Sequence, residues 1–372
     1  MKTEHILIIR FSAIGDVAMA VPVVYSLATQ YPHVRITMLS KAFARPLFEN
    51  LAPNVSFMEA DIKNEYHGVK GLNALFRRLK AKHFTAIADF HHVLRSDYLR
   101  LRFNMNRYHV EHINKHRKGK RRLTSTHHKR MEKQPTSFRN YSDVLEKLGY
   151  PIKIEFTSIF PPEGGDLNLI QDKTLIPLDD QNTQHHYPPP LGRAGVGSNT
   201  QLIGIAPFAA HPGKIYPLPL MQQVIQQITE RYPQAHIYFF GAGNHENTII
   251  NNWCNTYPRC INASQKCGSL MQELILMSHL NVILTMDSAN MHLASLTNTP
   301  VVSIWGATHP YAGFMGWNQS IDNALQSDID CRPCSIYGNK RCKLGNYPCL
   351  NNIKPEQVVE KIVLTLNKQK SL

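Results

Sequence analysis

The sequence predicts an α/β protein built from two Rossmann-like halves. Short apolar runs that suit buried parallel strands alternate with helical segments, first from His5 to about Gly149 and again from Leu202 onward. Each series opens on its own strand and polar turn. The chain has 372 residues, and a single core rarely grows past about 250–300 residues, so two domains are expected.

The first strand is His5–Phe11 (HILIIRF), followed by the turn Ser12-Ala13-Ile14-Gly15-Asp16 and an apolar helix over roughly Val17–Tyr31, which ends before Pro32. Arg35–Ser40, Val55–Glu59 and Ala86–Phe90 supply further strands, with helices near Phe43–Leu51 and Val69–Lys82. From Arg95 to Lys133 the chain is crowded with Arg, Lys and His, including HRKGKRR at His116–Arg122. Such a run reads as a solvated, mobile face that attracts something negative. Ser137–Gly149 has the pattern of an amphipathic helix, stopped by Gly149. Gln181–Thr200 holds PPP and GRAGVG with no hydrophobic period, as a linker or surface excursion would. The alternation then resumes with strands at Leu202–Ala206 and His236–Gly241, and helices after Pro217, from about Glu246, and over Ser269–His279. Val282–Met286 (VILTM) and Val301–Trp305 (VVSIW) are two more buried strands around a short helix. The expected boundaries are an N-terminal domain over 1–180, a linker over 181–200, a C-terminal domain over 201–353 and a closing helix over 354–372.

A formal charge of +14 predicts an anionic partner: nucleic acid, an anionic lipid surface or a phosphorylated substrate. The opening MKTEHILIIRF has an apolar core far too short for a signal peptide or membrane span, so a cytoplasmic protein is expected, able to rest on a membrane without crossing it. Seven cysteines then suggest thiols or metal ligands before disulfides.

The candidate chemistry gathers at turns that follow strands. Asp287 and Ser288 come directly after Val282–Met286, Asn290 and His292 follow, and Gly306-Ala307-Thr308-His309 succeeds the next strand. A helix N-terminus at the carboxyl edge of a parallel sheet binds anions, so these turns suggest a phosphate or sugar site. The competing reading makes Asp287 a helix cap, and Asp16 has the same two readings. Glu246 follows a Gly-x-Gly turn, where acidic residues bond ribose hydroxyls. His292 is either a donor to phosphate or sugar or a satisfied helix histidine. The glycines do not spell G-x-G-x-x-G, which disfavours a nicotinamide oxidoreductase. Cys331, Cys334, Cys342 and Cys349 read C-x₂-C-x₇-C-x₆-C, compatible with a structural zinc or with reduced packing thiols.

The run MDSANMHLASLTNTPVVSIWGATHP resembles the nucleotide-sugar-binding segment of glycosyltransferase family 9, the lipopolysaccharide heptosyltransferases. It keeps Asp287, Ser288, His292, Leu293, Ala294, Gly306, Thr308 and Pro310, and departs at Ala289, where glycine is commoner. RFSAIGDVAMAVPVV resembles the family's opening signature, which implies Asp16 as the general base that a sugar hydroxyl needs when it attacks. IGIAPFAAHPGKIYPLPLM resembles the lysine loop, which implies that Lys214 contacts the donor diphosphate. The donor-binding set implied is Lys214, Glu246, Asp287, Ser288, Ala289, His292 and Thr308.

The resemblance further implies a GT-B fold, two Rossmann-like domains facing each other across a cleft. The implied reaction moves a heptose from ADP-heptose to the lipopolysaccharide inner core, with no cofactor required and no divalent metal indicated. The expected partners are the nucleotide sugar and an anionic lipid-linked saccharide acceptor, with peripheral contact at the inner membrane and no nucleic acid. The basic region Arg95–Lys133 is expected to draw in that acceptor on the domain that does not hold the donor. Two alternatives stand beside this reading: a GT-B transferase for another nucleotide sugar, and a basic nucleic-acid-binding protein with a Cys₄ zinc module.

Overall fold

The computed structural model describes residues 4–175 and 200–370. The first sheet contains β1 (His5–Ile9), β2 (Arg35–Ser40), β3 (Val55–Glu59), β4 (Ala86–Asp89) and β5 (His109–His112). Its strands are all parallel, in the order β3-β2-β1-β4-β5. The second sheet contains β6 (Leu202–Ala206), β7 (His236–Phe239), β8 (Cys260–Asn262), β9 (Val282–Met286), β10 (Val301–Trp305) and β11 (Ala324–Gln326). It too is parallel, in the order β11-β10-β9-β6-β7-β8.

The central strands HILII, LIGIA, VILTM and VVSIW are buried along their whole length, as strands covered by helices on both faces must be. In each sheet the strand order reverses beside the first strand: between β1 and β4, and between β6 and β9. Ligands of doubly wound sheets bind outside the carboxyl ends of strands at such reversals.

Among the described residues the chain divides into two compact units. One takes Met1–His116 and Pro135–Thr157; the other takes Arg117–Gln134 and Ser158–Leu372. The last change of unit falls after Thr157, within the expected 1–180 domain, and part of the basic run belongs to the second unit. Of the expected linker, only Thr200 lies among the described residues. The closing helix Pro355–Lys370 packs on the helix Leu218–Arg231 through buried Val358, Ile362 and Leu366, so it is part of the second core.

Three local differences have simple causes. The helix expected over Val17–Tyr31 is two helices, Ile14–Ala18 and Val21–Gln30, because Pro22 belongs in a first turn, where its missing N–H leaves no bond unmade. Strands β5, β8 and β11 are absent from the sequence reading; each is a short edge strand of three or four residues with no room for a period. The basic run is also more ordered than a solvated face, since it contains the helix Leu94–Met105, β5 and the helix Arg117–Leu123. Lys120 is buried with its ammonium 4.1 Å from the centre of the Phe314 ring, and Lys129 donates to the carbonyls of Asp330 and Arg332.

Candidate functional site

In the first unit the site grows from the end of β1. Arg10, one residue past the strand, is buried and uses both arms of its guanidinium. One donates to the Phe90 carbonyl at 2.7 Å, and the other lies 2.6 Å from the Asp16 carboxylate. Burial works against the charge on Arg10, but Tyr141, Asp16 and Asp89 outweigh it and raise its pKa above the ordinary value. Tyr141 donates its hydroxyl to the Asp16 backbone carbonyl at 3.1 Å and stacks on Phe90 at 4.5 Å between ring centres. Asp16 is thus held through both its side chain and its backbone, while its side chain stays 33% exposed. It is not the cap of its helix: Ala13 holds that position, and the Ala13 N–H reaches Asp16 only at 3.4 Å.

Asp89 ends β4, the neighbour of β1, and is fully buried. Its Oδ1 accepts the N–H groups of His91 and His92 at 2.8 and 2.9 Å, which folds the loop beside Arg10. Burial, then the nearby charges of Arg10 and Lys115, push the pKa of His91 down to about 3, so its ring is neutral at ordinary pH.

In the second unit, β6 leads to the tight turn Pro212–Lys214, and the Lys214 ammonium lies 2.9 Å from Oδ2 of Asp287, which follows β9. Asp287 is 3% exposed and Lys214 16%. Three loops lock this arrangement. Gly213 accepts the Ala307 N–H at 2.8 Å, Arg332 donates to the Gly306 carbonyl at 2.7 Å, and Ala307 accepts the N–H groups of Cys334 and Ser335. A Cβ at Gly306 would stand 2.5 Å from the Gly213 oxygen, and one at Gly213 would stand 2.7 Å from the Gly338 oxygen. Only glycine permits so close a backbone approach.

The helix-cap reading of the Asp287 turn does not hold. Ser288 occupies the cap position of the helix Ala289–Leu296 but makes no side-chain cap bond. Its hydroxyl and that of Thr308 are buried without a hydrogen-bond partner among the described residues. Asp287 meets Lys214 as an ion pair off the line of a good hydrogen bond. Buried polar atoms are normally bonded, so several left over at adjoining strand ends, at a helix N-terminus, mark a place for a polar ligand.

The remaining predicted residues divide. Ala289 is the first residue of that helix, and His292 lies buried one turn further along. Glu246 follows β7, on the other side of β6 from β9, and its carboxylate accepts the N–H of Ala242, the cap residue of its helix, at 2.7 Å. His309, after Thr308, accepts the Tyr311 N–H, and burial followed by Arg332 pushes its pKa down to about 4. Sequence reasoning assigned no role to Arg10, Tyr141, Asp89 or Arg332. Arg10 had a signal, because it opens the RFSAIGD run.

The Cys₄ module of the alternative reading is not assembled. All four cysteines are free thiols, and no three His, Cys, Asp or Glu side chains among the described residues are placed to share a metal ion. Cys349 instead packs in the core of the second unit, where burial drives its pKa up to about 11.

Two doubly wound parallel sheets, each with charged groups gathered where its strand order reverses, define a two-domain α/β protein. More particularly, the chain belongs to glycosyltransferase family 9 (heptosyltransferase), whose sequence model matches residues 72–347. The match takes in the Lys214, Asp287 and Thr308 loops and begins after the Asp16 turn. Lipopolysaccharide heptosyltransferase 3 of Escherichia coli is 26% identical over 313 residues, which cover 79% of this chain and 81% of that one. Lipooligosaccharide heptosyltransferase 2 of Campylobacter jejuni is 25% identical over 140 residues, and the matched part spans only 43% of its length. Among solved structures, the fold matches that of the ADP-heptose lipopolysaccharide heptosyltransferase II of E. coli with a TM-score of 0.66 at 17% identity, over 98% of this chain and 99% of that one.

Proposed function

We propose that the protein transfers a heptose from ADP-heptose to a sugar hydroxyl of the lipopolysaccharide inner core, with Asp16 as general base. The observation that carries this reading is the pairing of each reactive charge with a more deeply buried holder: Asp16 on Arg10, and Lys214 on Asp287. Family membership supports the reaction class, and the likeness in fold to the E. coli ADP-heptose enzyme supports ADP-heptose as the donor.

In this reading Asp16 takes the proton of the acceptor hydroxyl as its oxygen attacks the anomeric carbon. The bond from that carbon to the β-phosphate oxygen breaks, and ADP leaves with the electron pair. Lys214 offsets the charge that gathers on the departing diphosphate, a task suited to a point charge on a flexible stem. The Ser288 and Thr308 hydroxyls and the N-terminus of the helix Ala289–Leu296 supply further donors to the nucleotide sugar. Glu246 binds the ribose in this scheme with its second carboxylate oxygen while Oε2 keeps the Ala242 N–H. No helix among the described residues is long and apolar enough to cross a membrane, and a net charge of +14 suits an anionic lipid-linked acceptor met at the cytoplasmic face of the inner membrane.

The test is transfer from ADP-heptose to heptose-deficient lipopolysaccharide, followed by mass spectrometry. The product should gain one heptose. No gain with ADP-heptose, but a gain with another nucleotide sugar, would reassign the donor.

A further inference from the structure

The helix Ser137–Lys147 of the first unit carries two unlike stripes. Phe138, Tyr141 and Leu145 are buried in the core. Asn140, Asp143, Val144 and Lys147, spaced i, i+3, i+4 and i+7, line a cavity of about 420 Å³. The opposite wall comes from the end of β5 and the loop after it, at His112, Asn114 and His116. None of the groups that fix Asp16 lines this cavity.

A polar stripe on a helix is ordinarily a solvated face, but here Asn140 is only 3% exposed and Val144 only 1%. The side-chain carbonyl of Asn140 is buried without a hydrogen-bond partner among the described residues, and so is Nε2 of His116. An unmet buried acceptor is costly to keep, and native structures keep few of them. His116 also holds a left-handed backbone, φ +50°, fixed by its N–H bond to the Asn114 side chain at 3.0 Å. Non-glycine residues keep such a conformation where the surroundings impose it, and these positions gather at ligand sites.

The charges around the cavity are largely offset. Arg139 pairs with Asp143 at 2.6 Å and with Glu146 at 3.4 Å. His112 is kept below its ordinary pKa by burial and then by Arg100 and His92. What remains is the Lys147 ammonium and a set of neutral donors and acceptors around one apolar side chain, in a volume typical of small-ligand sites. That chemistry fits a ring carrying several hydroxyls.

We propose that this cavity binds a sugar residue of the acceptor saccharide, distinct from the residue whose hydroxyl meets Asp16, and so takes part in choosing the acceptor. The proposal rests on the acceptor reading above. Calorimetric titration of dephosphorylated, de-acylated core oligosaccharide into the full-length protein tests it, with ADP titrated in parallel. Asn140→Leu and His116→Gln should each weaken oligosaccharide binding about ten-fold, the effect of leaving a buried polar partner unmet, while ADP binds as it does to the wild type. If Asn140→Leu does not fold, as judged by circular dichroism, the half-buried His116→Gln decides alone. Wild-type affinity for the oligosaccharide in the folded variants overturns the cavity assignment only. Wild-type protein that binds ADP but no oligosaccharide overturns the acceptor reading, and this proposal with it.

Discussion

Each unit presents an ion pair beyond the carboxyl end of its first strand, and these two pairs have opposite polarity. In the first, the cation is the buried partner: Arg10 is 7% exposed and Asp16 33%. In the second, the anion is buried: Asp287 is 3% exposed and Lys214 16%. The buried member of each pair also has the stiffer setting. Arg10 is tied to the Phe90 carbonyl at 2.7 Å, and Asp287 stands directly at the end of a fully buried strand, its N–H bonded to Ile304. In the proposed reaction the more exposed member serves as the reagent and the buried one as its holder, a carboxylate for proton removal in the first unit and an ammonium for phosphate in the second.

The largest effect should come from the reagent of the first pair. Asp16→Asn keeps the shape but loses the base, and kcat should fall about 10²–10⁴-fold in a heptose-transfer assay. A variant within a few-fold of wild type would show that another group takes the proton. Next comes its holder. Arg10→Lys cannot reach both the Phe90 carbonyl and Asp16, so the base loses its fixed position, and kcat should fall about 10- to 100-fold with donor KM unchanged. A rise in donor KM instead would place Arg10 in donor binding and break the comparison. Lys214→Ala should weaken ADP binding about ten-fold or somewhat more, the scale of one charge-assisted hydrogen bond. Calorimetry that finds unchanged affinity would remove Lys214 from the phosphate site.

The smallest effect is on stability and separates the units by pH. His91 and His309 have pKa values pushed down to about 3 and about 4, against an ordinary value near 6.5. Each is protonated more readily in the unfolded chain, so stability rises with pH through the window from the folded value to about 6.5 and is flat above it. Urea unfolding at about pH 5 and pH 7 should show that slope, and His91→Gln should make it shallower, with the lowered His5 and His112 of the same unit keeping the rest. A slope unchanged by both His91→Gln and His309→Gln would put its origin elsewhere.

Much of this was legible in the sequence because it lies in strands and in the turns directly after them. VILTM followed by Asp287 and Ser288, or HILII followed by a turn ending at Asp16, places a polar group at a sheet edge from local pattern alone. The holders were harder to see. Arg10 is a buried charge made tolerable by Asp16, by the Phe90 carbonyl from β4's far end and by Tyr141 from a helix more than a hundred residues later; no local pattern joins them. Glu246 is ambiguous for the complementary reason, since an acid after a Gly-x-Gly turn also bonds the backbone of its own first turn, as it does here with Ala242. The basic run concealed helices and β5 because charge describes a surface and says little about which unit Lys120 or Lys129 packs against.

The central claim is that the first unit carries the base and the second the grip on the donor. Calorimetric titration of ADP into wild type, Asp16→Asn and Lys214→Ala, alongside turnover of the same samples, tests it most directly. Asp16→Asn should bind ADP as tightly as wild type while its turnover collapses, and Lys214→Ala should lose ADP affinity. Loss of ADP affinity in Asp16→Asn, or its retention in Lys214→Ala, would contradict the division of roles between the two ion pairs.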